Sequence, residues 1–337
     1  IGAGAARNLG TLSHEFFHTW NVERLRARSL EPFDFERANM SDALWFGEGF
    51  TSYYDDLTIH RAGLMDLDTY ASGLAGMLNA VINSPGRRFF SPVEMSMQAP
   101  FVDAATSVDP HNRVNTFISY YTWGSAIGLG LDLTLRTRFN KTLDQFMRAL
   151  WAEFGRTEVP YTVDDLRLAL GRFTSDQGFA DDFFARYITG REIVDYESLL
   201  ARAGLLLRKV NPGAPTLGRV ALQPADGGVV VASQTLIGSP LYEAGLDRGD
   251  LIVSLGGSTV ATPADVQAIV AAHRPGDTLE VAFVQRGQSR TARVTLAEDD
   301  RLEVVPFENA GRELSRDARR FREAWLGSQV PAKASTR

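Results

Sequence analysis

The chain contains no cysteine. That absence excludes disulfides, thiolate nucleophiles and every cysteine-based metal site, and it leaves the redox compartment open. Histidine is scarce, with five in 337 residues. Positive charge is not in excess either: the net charge is -6, so a nucleic-acid role has no electrostatic support. No uninterrupted apolar run is long enough to cross a bilayer. What remains, 44% apolar and 23% charged residues, is the balance of a soluble globular protein with room for two domains. The chain opens at Ile1 without a charged-then-apolar targeting segment, so it reads as a fragment of something longer whose upstream signals are not visible.

The texture changes along the chain. Residues 1–205 read as helices, with apolar residues recurring at spacings of three and four through 5–25, 42–60, 68–82, 116–137, 142–153, 162–172 and 195–203. Ser91-Pro92-Val93-Glu94 has the form of a capping box with proline at the first helical position, Thr142 caps the next helix, and Gly155 and Gly204 are stop signals. Residues 206–298 are β-branched and punctuated by glycine and proline, as strands and turns are, with one short helix over 262–273 capped by Thr262. Residues 299–337 read as a surface helix followed by a frayed tail.

Within "SHEFFHTWNVERLR" (13–26), His14 and His18 lie one turn apart on one helix face, where two imidazoles can hold one metal ion. Glu15 is about a hundred degrees round from His14 and can reach a water beside the metal rather than the metal itself. Phe16, Phe17 and Trp20 predict that this helix is buried, and two histidines with a glutamate buried together without a metal would be costly. A metal site needs a third protein ligand. Asn21 and Arg24 stand where one class of zinc peptidases has glycine and a third histidine, which excludes that class. Glu48 follows His18 by thirty residues, inside the aromatic run "LWFGEGFTSYYDDL", flanked by Gly47 and Gly49. Those glycines predict close approach of this second helix to the first. Asp55 and Asp56 are either solvated-face residues or partners of a ligand histidine. His60, His111 and His273 are isolated and read as structural.

These segments, with "ISYYTWGSAIGLGLDLTLR" and the C-terminal half, resemble the glycyl aminopeptidase family of gluzincins, bacterial metallopeptidases that carry a PDZ domain. The resemblance implies a multi-domain α+β chain: a mostly α-helical, thermolysin-like catalytic half over 1–205, a PDZ domain over 206–298, and a C-terminal helix and tail over 299–337. It implies one zinc ion per chain held by His14, His18 and Glu48, with Glu15 as general base. In the wider gluzincin aminopeptidases a tyrosine of Tyr-x-Lys-Gly stabilises the tetrahedral intermediate. Tyr121-Thr122-Trp123-Gly124 matches with tryptophan for lysine, which points to Tyr121, with Tyr120 as the neighbouring alternative. The segment whose glutamate anchors the substrate amine in the family lies upstream of Ile1.

"GSPLYEAGLDRGDLIVSLGG…RPGDTLEVAFVQRG" is similar to bacterial PDZ domains, which bind extended peptide C-termini by strand addition. The carboxylate loop implied is Leu217-Gly218-Arg219-Val220, with arginine where an apolar residue is usual. The expected function is a zinc aminopeptidase acting on peptides with small N-terminal residues, glycine or alanine by resemblance. The PDZ domain either binds peptide C-termini or packs on the catalytic half. An endopeptidase with the same site, or a peptide-binding scaffold with an inert catalytic half, are the alternatives. The expected location is bacterial, leaning to periplasmic or secreted.

Overall fold

The computed structural model describes residues 8–102 and 111–328. The tail expected beyond Ser328 and the start of the first helix therefore lie outside the described residues. The helical half comprises α1 (Leu9–Phe17), α2 (Leu44–Arg61), α3 (Leu67–Ile82), α4 (Tyr120–Thr134), α5 (Leu143–Leu150), α6 (Val163–Thr174), α7 (Gln177–Tyr187) and α8 (Tyr196–Arg202). The caps follow the side-chain chemistry. Ser91 and Glu94, Thr142 and Gln145, and Thr162 and Asp165 each satisfy one another's backbone N–H groups reciprocally. Gly204 ends α8 at a φ of 68°.

Helix α2 is the centre of this half. Ten of its residues are buried, among them Trp45, Phe46, Phe50 and Leu57. It crosses α4 at glycine against glycine. A Cβ on Gly49 would lie 2.3 Å from Gly124 Cα, and one on Gly124 would lie 1.9 Å from the Trp45 carbonyl oxygen. This corrects one expectation. The small residue after Glu48 brings α2 against α4, not against α1; Gly47 alone meets the first segment, at Val22.

A second correction concerns α1, whose pattern suggested a buried helix running to residue 25. It ends at Phe17, and none of its residues is buried. Phe16 and Trp20 are 62% and 45% exposed. The reason is Asn21. Its amide turns inward to the Phe46 and Gly47 carbonyls and to Thr51 Oγ1, all within 3.1 Å, and the chain folds around it with Val22 at a φ of 110°. A polar anchor thus stops a helix that apolar periodicity alone would continue.

The C-terminal half opens on β1 (Leu205–Lys209). Short strands β2 (Pro215–Thr216), β3 (Leu222–Ala225), β4 (Gly228–Val231), β5 (Leu251–Leu255) and β6 (Ser258–Thr259) follow, then helix α9 (Pro263–Ala271) and strands β7 (Thr278–Gln285), β8 (Gln288–Thr295), β9 (Ala297–Glu298) and β10 (Leu302–Pro306). The main sheet has the antiparallel order β3-β4-β5-β7-β8, which leaves β3 as an edge. Its core is separate from the helical core and gathers Val229, Ile252, Val281 and Val294 beneath α9's Val266 and Val270. The turns at Gly249 and Gly276 sit at positive φ, as the Arg-Gly-Asp and Pro-Gly-Asp sequences require.

Two devices tie the halves together. Strands β1 and β10 pair antiparallel, Leu205 with Pro306 through Lys209 with Leu302, at the root of the PDZ fold. Helix α10 (Arg316–Leu326) then returns to the helical half. It was expected on the surface, but it drives Trp325 fully inside, where the indole N–H donates to Tyr53 Oη at 2.9 Å. Tyr53 donates to the buried Asp132, and Arg61 of α2 donates to the Trp325 carbonyl. The amphipathic pattern of α10 permits this: a mostly charged helix can bury one aromatic stripe.

Candidate active site

Three ligand atoms converge where α1 meets α2. Glu48 Oε2 lies 3.3 Å from His14 Nε2 and 3.2 Å from His18 Nε2. The three side chains form the one group of at least three metal-ligating side chains among the described residues. Tetrahedral zinc with bonds of about 2.0–2.1 Å separates neighbouring ligand atoms by roughly 3.3 Å. Glu48 therefore already stands at that spacing from each of the two imidazole nitrogens, and two neutral nitrogens with one anionic oxygen is a donor set that suits catalytic zinc.

Each ligand is oriented by a partner. His14 Nδ1 faces Asp55 Oδ2 at 3.2 Å, and His18 Nδ1 donates to the Asn21 carbonyl at 2.9 Å. Both ring Nε2 atoms are thereby left to point at Glu48. Asp55 is about two turns along α2 from Glu48, so a single helix supplies the third ligand and the carboxylate behind the first. Ser13 Oγ donates to the Asp55 carbonyl at 3.1 Å and pins α1 to the same turn. Phe17 stacks on Tyr54 with ring centroids 4.5 Å apart.

The electrostatics match. Without a metal, hydrogen bonds donated by the imidazole to Asp55 and then to Glu48 raise His14 to about 9, against the opposing effect of burial. The His18 imidazole is raised chiefly by Glu48. Burial would lift the Glu48 carboxyl, but the hydrogen bonds from His14 and His18 outweigh it and hold it at about 2. The site is an anionic clamp around two bases, which favours a cation at its centre.

Glu15 and Tyr121 line the same open cleft as the three ligands, together with Ser52 and Asp55. Tyr121 lies along His14, ring centroids 5.9 Å apart and 29° from parallel. Tyr120 is 2% exposed and turned into the core. The glycine contact explains this choice: with Gly124 pressed on Gly49, the first turn of α4 overlies α2, and successive helical residues point about a hundred degrees apart. Asn21 and Thr51 are contributors that motif reading missed. The signal was present only as a polar residue inside an apolar pattern.

In the PDZ fold, Leu217–Val220 occupy the mouth between edge strand β3 and α9, lining a cavity of about 1190 Å³. Arg219 is among its lining residues, but its charge is paired. Its guanidinium donates to Asp300 Oδ1 at 2.9 and 3.0 Å, and to Asn79 of α3 at 3.4 Å.

Comparison with known proteins agrees with both regions. Residues 7–127 match the family of M61 glycyl aminopeptidases, and residues 215–296 match the PDZ domain family. The chain joins an M61 glycyl aminopeptidase region to a PDZ domain. A solved aminopeptidase N family protein from Idiomarina loihiensis superposes on 97% of this chain with a TM-score of 0.80 at 26% identity. The chain spans 56% of that protein. Two curated relatives match over short stretches. A probable periplasmic serine endoprotease, DegP-like, of Rhizobium meliloti is 40% identical over 75 residues, 22% of this chain and 14% of that protein. The serine protease Do-like HtrA of Lactococcus lactis subsp. cremoris is 39% identical over 71 residues, 21% of this chain and 17% of that protein. The M61 region contains the two histidines, Glu15, Glu48, Asp55 and Tyr121 together. Among the described residues no helix is long and apolar enough to cross a membrane.

Proposed function

We propose that this protein is a zinc-dependent aminopeptidase that removes small N-terminal residues, glycine or alanine, from peptides. The observation that carries the reading is the meeting of two imidazole nitrogens on one Glu48 oxygen at 3.2–3.3 Å, with Glu15 and Tyr121 facing the same cleft. His14, His18 and Glu48 would hold one zinc ion per chain. Zinc supplies a Lewis acid and lowers the pKa of water at such a site. The chain's own residues do the rest. Asp55 and the Asn21 carbonyl keep each ring in the tautomer that presents Nε2. Glu15, exposed in the cleft, takes the proton from the attacking water and returns it to the leaving amine. The Tyr121 hydroxyl donates to the oxygen of the scissile carbonyl as negative charge develops there.

The preference for a free amine and a small side chain rests on likeness to the M61 family. The PDZ domain would take a peptide C-terminus on edge strand β3. A periplasmic or secreted location is supported by the name of the Rhizobium relative alone, and cell fractionation tests it. The enzymatic reading is tested by comparing hydrolysis of a free-amine alanyl peptide with its N-acetylated twin, with and without a chelator. Chelator-sensitive cleavage of the free-amine peptide only is expected. Equal cleavage of both would make the site an endopeptidase, and cleavage of neither, without bound zinc, would leave a scaffold.

A further inference from the structure

The cavity beside the PDZ loop is walled on one side by the M61 region, through Asn83 and Arg88. Arg88 ends a tight turn, Pro85–Arg88, that is fixed in place. Ser84 Oγ accepts from Gly86 N, and a Cβ on Gly86 would lie 3.1 Å from the backbone at Thr116 and Phe117. Beside that junction, Asn115, 3% exposed, grips the PDZ loop from two sides. Its amide donates to the Thr235 carbonyl at 3.0 Å and accepts from Ile237 N–H at 2.8 Å. The same loop carries Gly238, where an added Cβ would meet the Arg88 guanidinium at 3.5 and 3.7 Å. One residue further, Ser239 packs on Gly218 of the carboxylate loop. Arg88, the 235–239 loop and the carboxylate loop are thus consecutive neighbours.

The charges around this cavity are unequally spent. Arg219 is paired with Asp300, and Arg301 with Asp299. Arg88 has no anionic partner among the described residues. The N–H groups of Arg219 and Val220, which follow Gly218 at a φ of 102°, also have no acceptor among the described residues. Two successive N–H groups and an unpaired guanidinium border an apolar floor of Leu217, Val266 and Val270. That combination complements one carboxylate attached to one apolar side chain.

We propose that the peptide site is composite. The C-terminal segment of a partner protein adds to β3, its apolar last side chain enters the floor, and its α-carboxylate is received by the Arg219 and Val220 N–H groups and by Arg88 of the M61 region. This rests on the peptide-binding reading of the PDZ domain. It adds that the M61 region selects for a free carboxylate, so that the halves bind peptide only as docked.

The test uses the whole chain and a nonapeptide of glycine and serine ending in Val-Val-Val, its N-terminus blocked with fluorescein, as free acid and as C-terminal amide. Fluorescence anisotropy should show the acid bound more tightly than the amide. Arg88→Gln should weaken acid binding on the order of 10- to 100-fold and leave the amide unchanged, and Arg88→Lys should restore part of the loss. An unchanged melting curve and metal content confirm that the variant is folded. If the wild type prefers the acid and Arg88→Gln keeps that preference, the composite site is wrong while peptide binding stands. If acid and amide bind equally, the ligand is an internal segment and the proposal fails. If neither peptide binds, the peptide-binding reading fails, and the composite site with it.

Discussion

Helices α1 and α2 supply ligands to the same site, yet they are held in opposite ways. Helix α2 is locked by packing, with ten buried residues and a glycine-on-glycine crossing with α4. Helix α1 buries none of its residues and hangs on a few discrete bonds: Ser13 and His14 to Asp55, Phe17 on Tyr54, and Asn21 beyond its end. The third ligand and the carboxylate behind His14 are therefore preset by the core, whereas the two histidines and the proposed base ride on an element positioned by polar contacts. Damage to α2 should act through stability; damage to α1 and its anchors should act through the site.

The largest expected effect comes from the base. Glu15→Gln should leave fold and zinc content intact and lower kcat by roughly 10²–10⁴-fold or more. Peptide turnover with metal analysis on one preparation checks it, and unchanged turnover at full occupancy would remove Glu15 from the chemistry. Next comes the neighbour of α2. Tyr121→Phe should lower kcat roughly 10²–10³-fold with little change in KM, because its hydroxyl acts on charge that develops only in the transition state. Tyr120→Phe should be mild for kcat, since that ring is buried away from the cleft. A reversed pair of results would put the register wrong by one residue.

The contrast itself is sharpened by Gly124→Ala and Asn21→Ala. A methyl on Gly124 would stand 1.9 Å from a backbone oxygen, so helix α4 must shift. Overpacking of this kind costs about 1–3 kcal/mol or more, and thermal unfolding should show the loss. Asn21→Ala removes a buried amide with three acceptors and should weaken zinc affinity about 10–100-fold by freeing the turn that orients His18. If Asn21→Ala binds zinc as tightly as the wild type, the turn does not position the site.

Much of this was readable from the chain because local rules decide it. The capping boxes at Ser91, Thr142 and Thr262 involve residues three apart, and each forms as its residue types dictate. The His14–His18 spacing follows from helical geometry, and Tyr121 follows from the likeness of Tyr121-Thr122-Trp123-Gly124 to the Tyr-x-Lys-Gly motif. What escaped was decided by partners distant in sequence. Phe16 and Trp20 look like core residues, but periodicity cannot say whether a neighbour covers that face. The role of Gly49 depends on Gly124, and the burial of Trp325 depends on Tyr53, 272 residues earlier. Asn21 could have been suspected as a polar residue in an apolar stretch, yet its acceptors lie on another helix.

A further effect is a pH dependence. An imidazole must be neutral to bind metal. His14 is raised from 6.5 to about 9 in the metal-free protein. A raised pKa favours the protonated folded form, so this contribution to metal-free stability is complete below about pH 6.5 and is lost as pH rises through about 9. Zinc affinity runs the other way. It should rise about tenfold per pH unit between those limits, as the competing proton leaves. Chelator competition across that range checks the slope, and Asp55→Asn should flatten it.

The most direct test of the account is zinc bound to the purified protein, counted by elemental analysis and with its ligands read by X-ray absorption. One ion per chain with two imidazole nitrogens and a carboxylate oxygen is expected, lost on dialysis of Glu48→Ala. Equal, tightly held zinc in wild type and Glu48→Ala would contradict the site built here from α1 and α2.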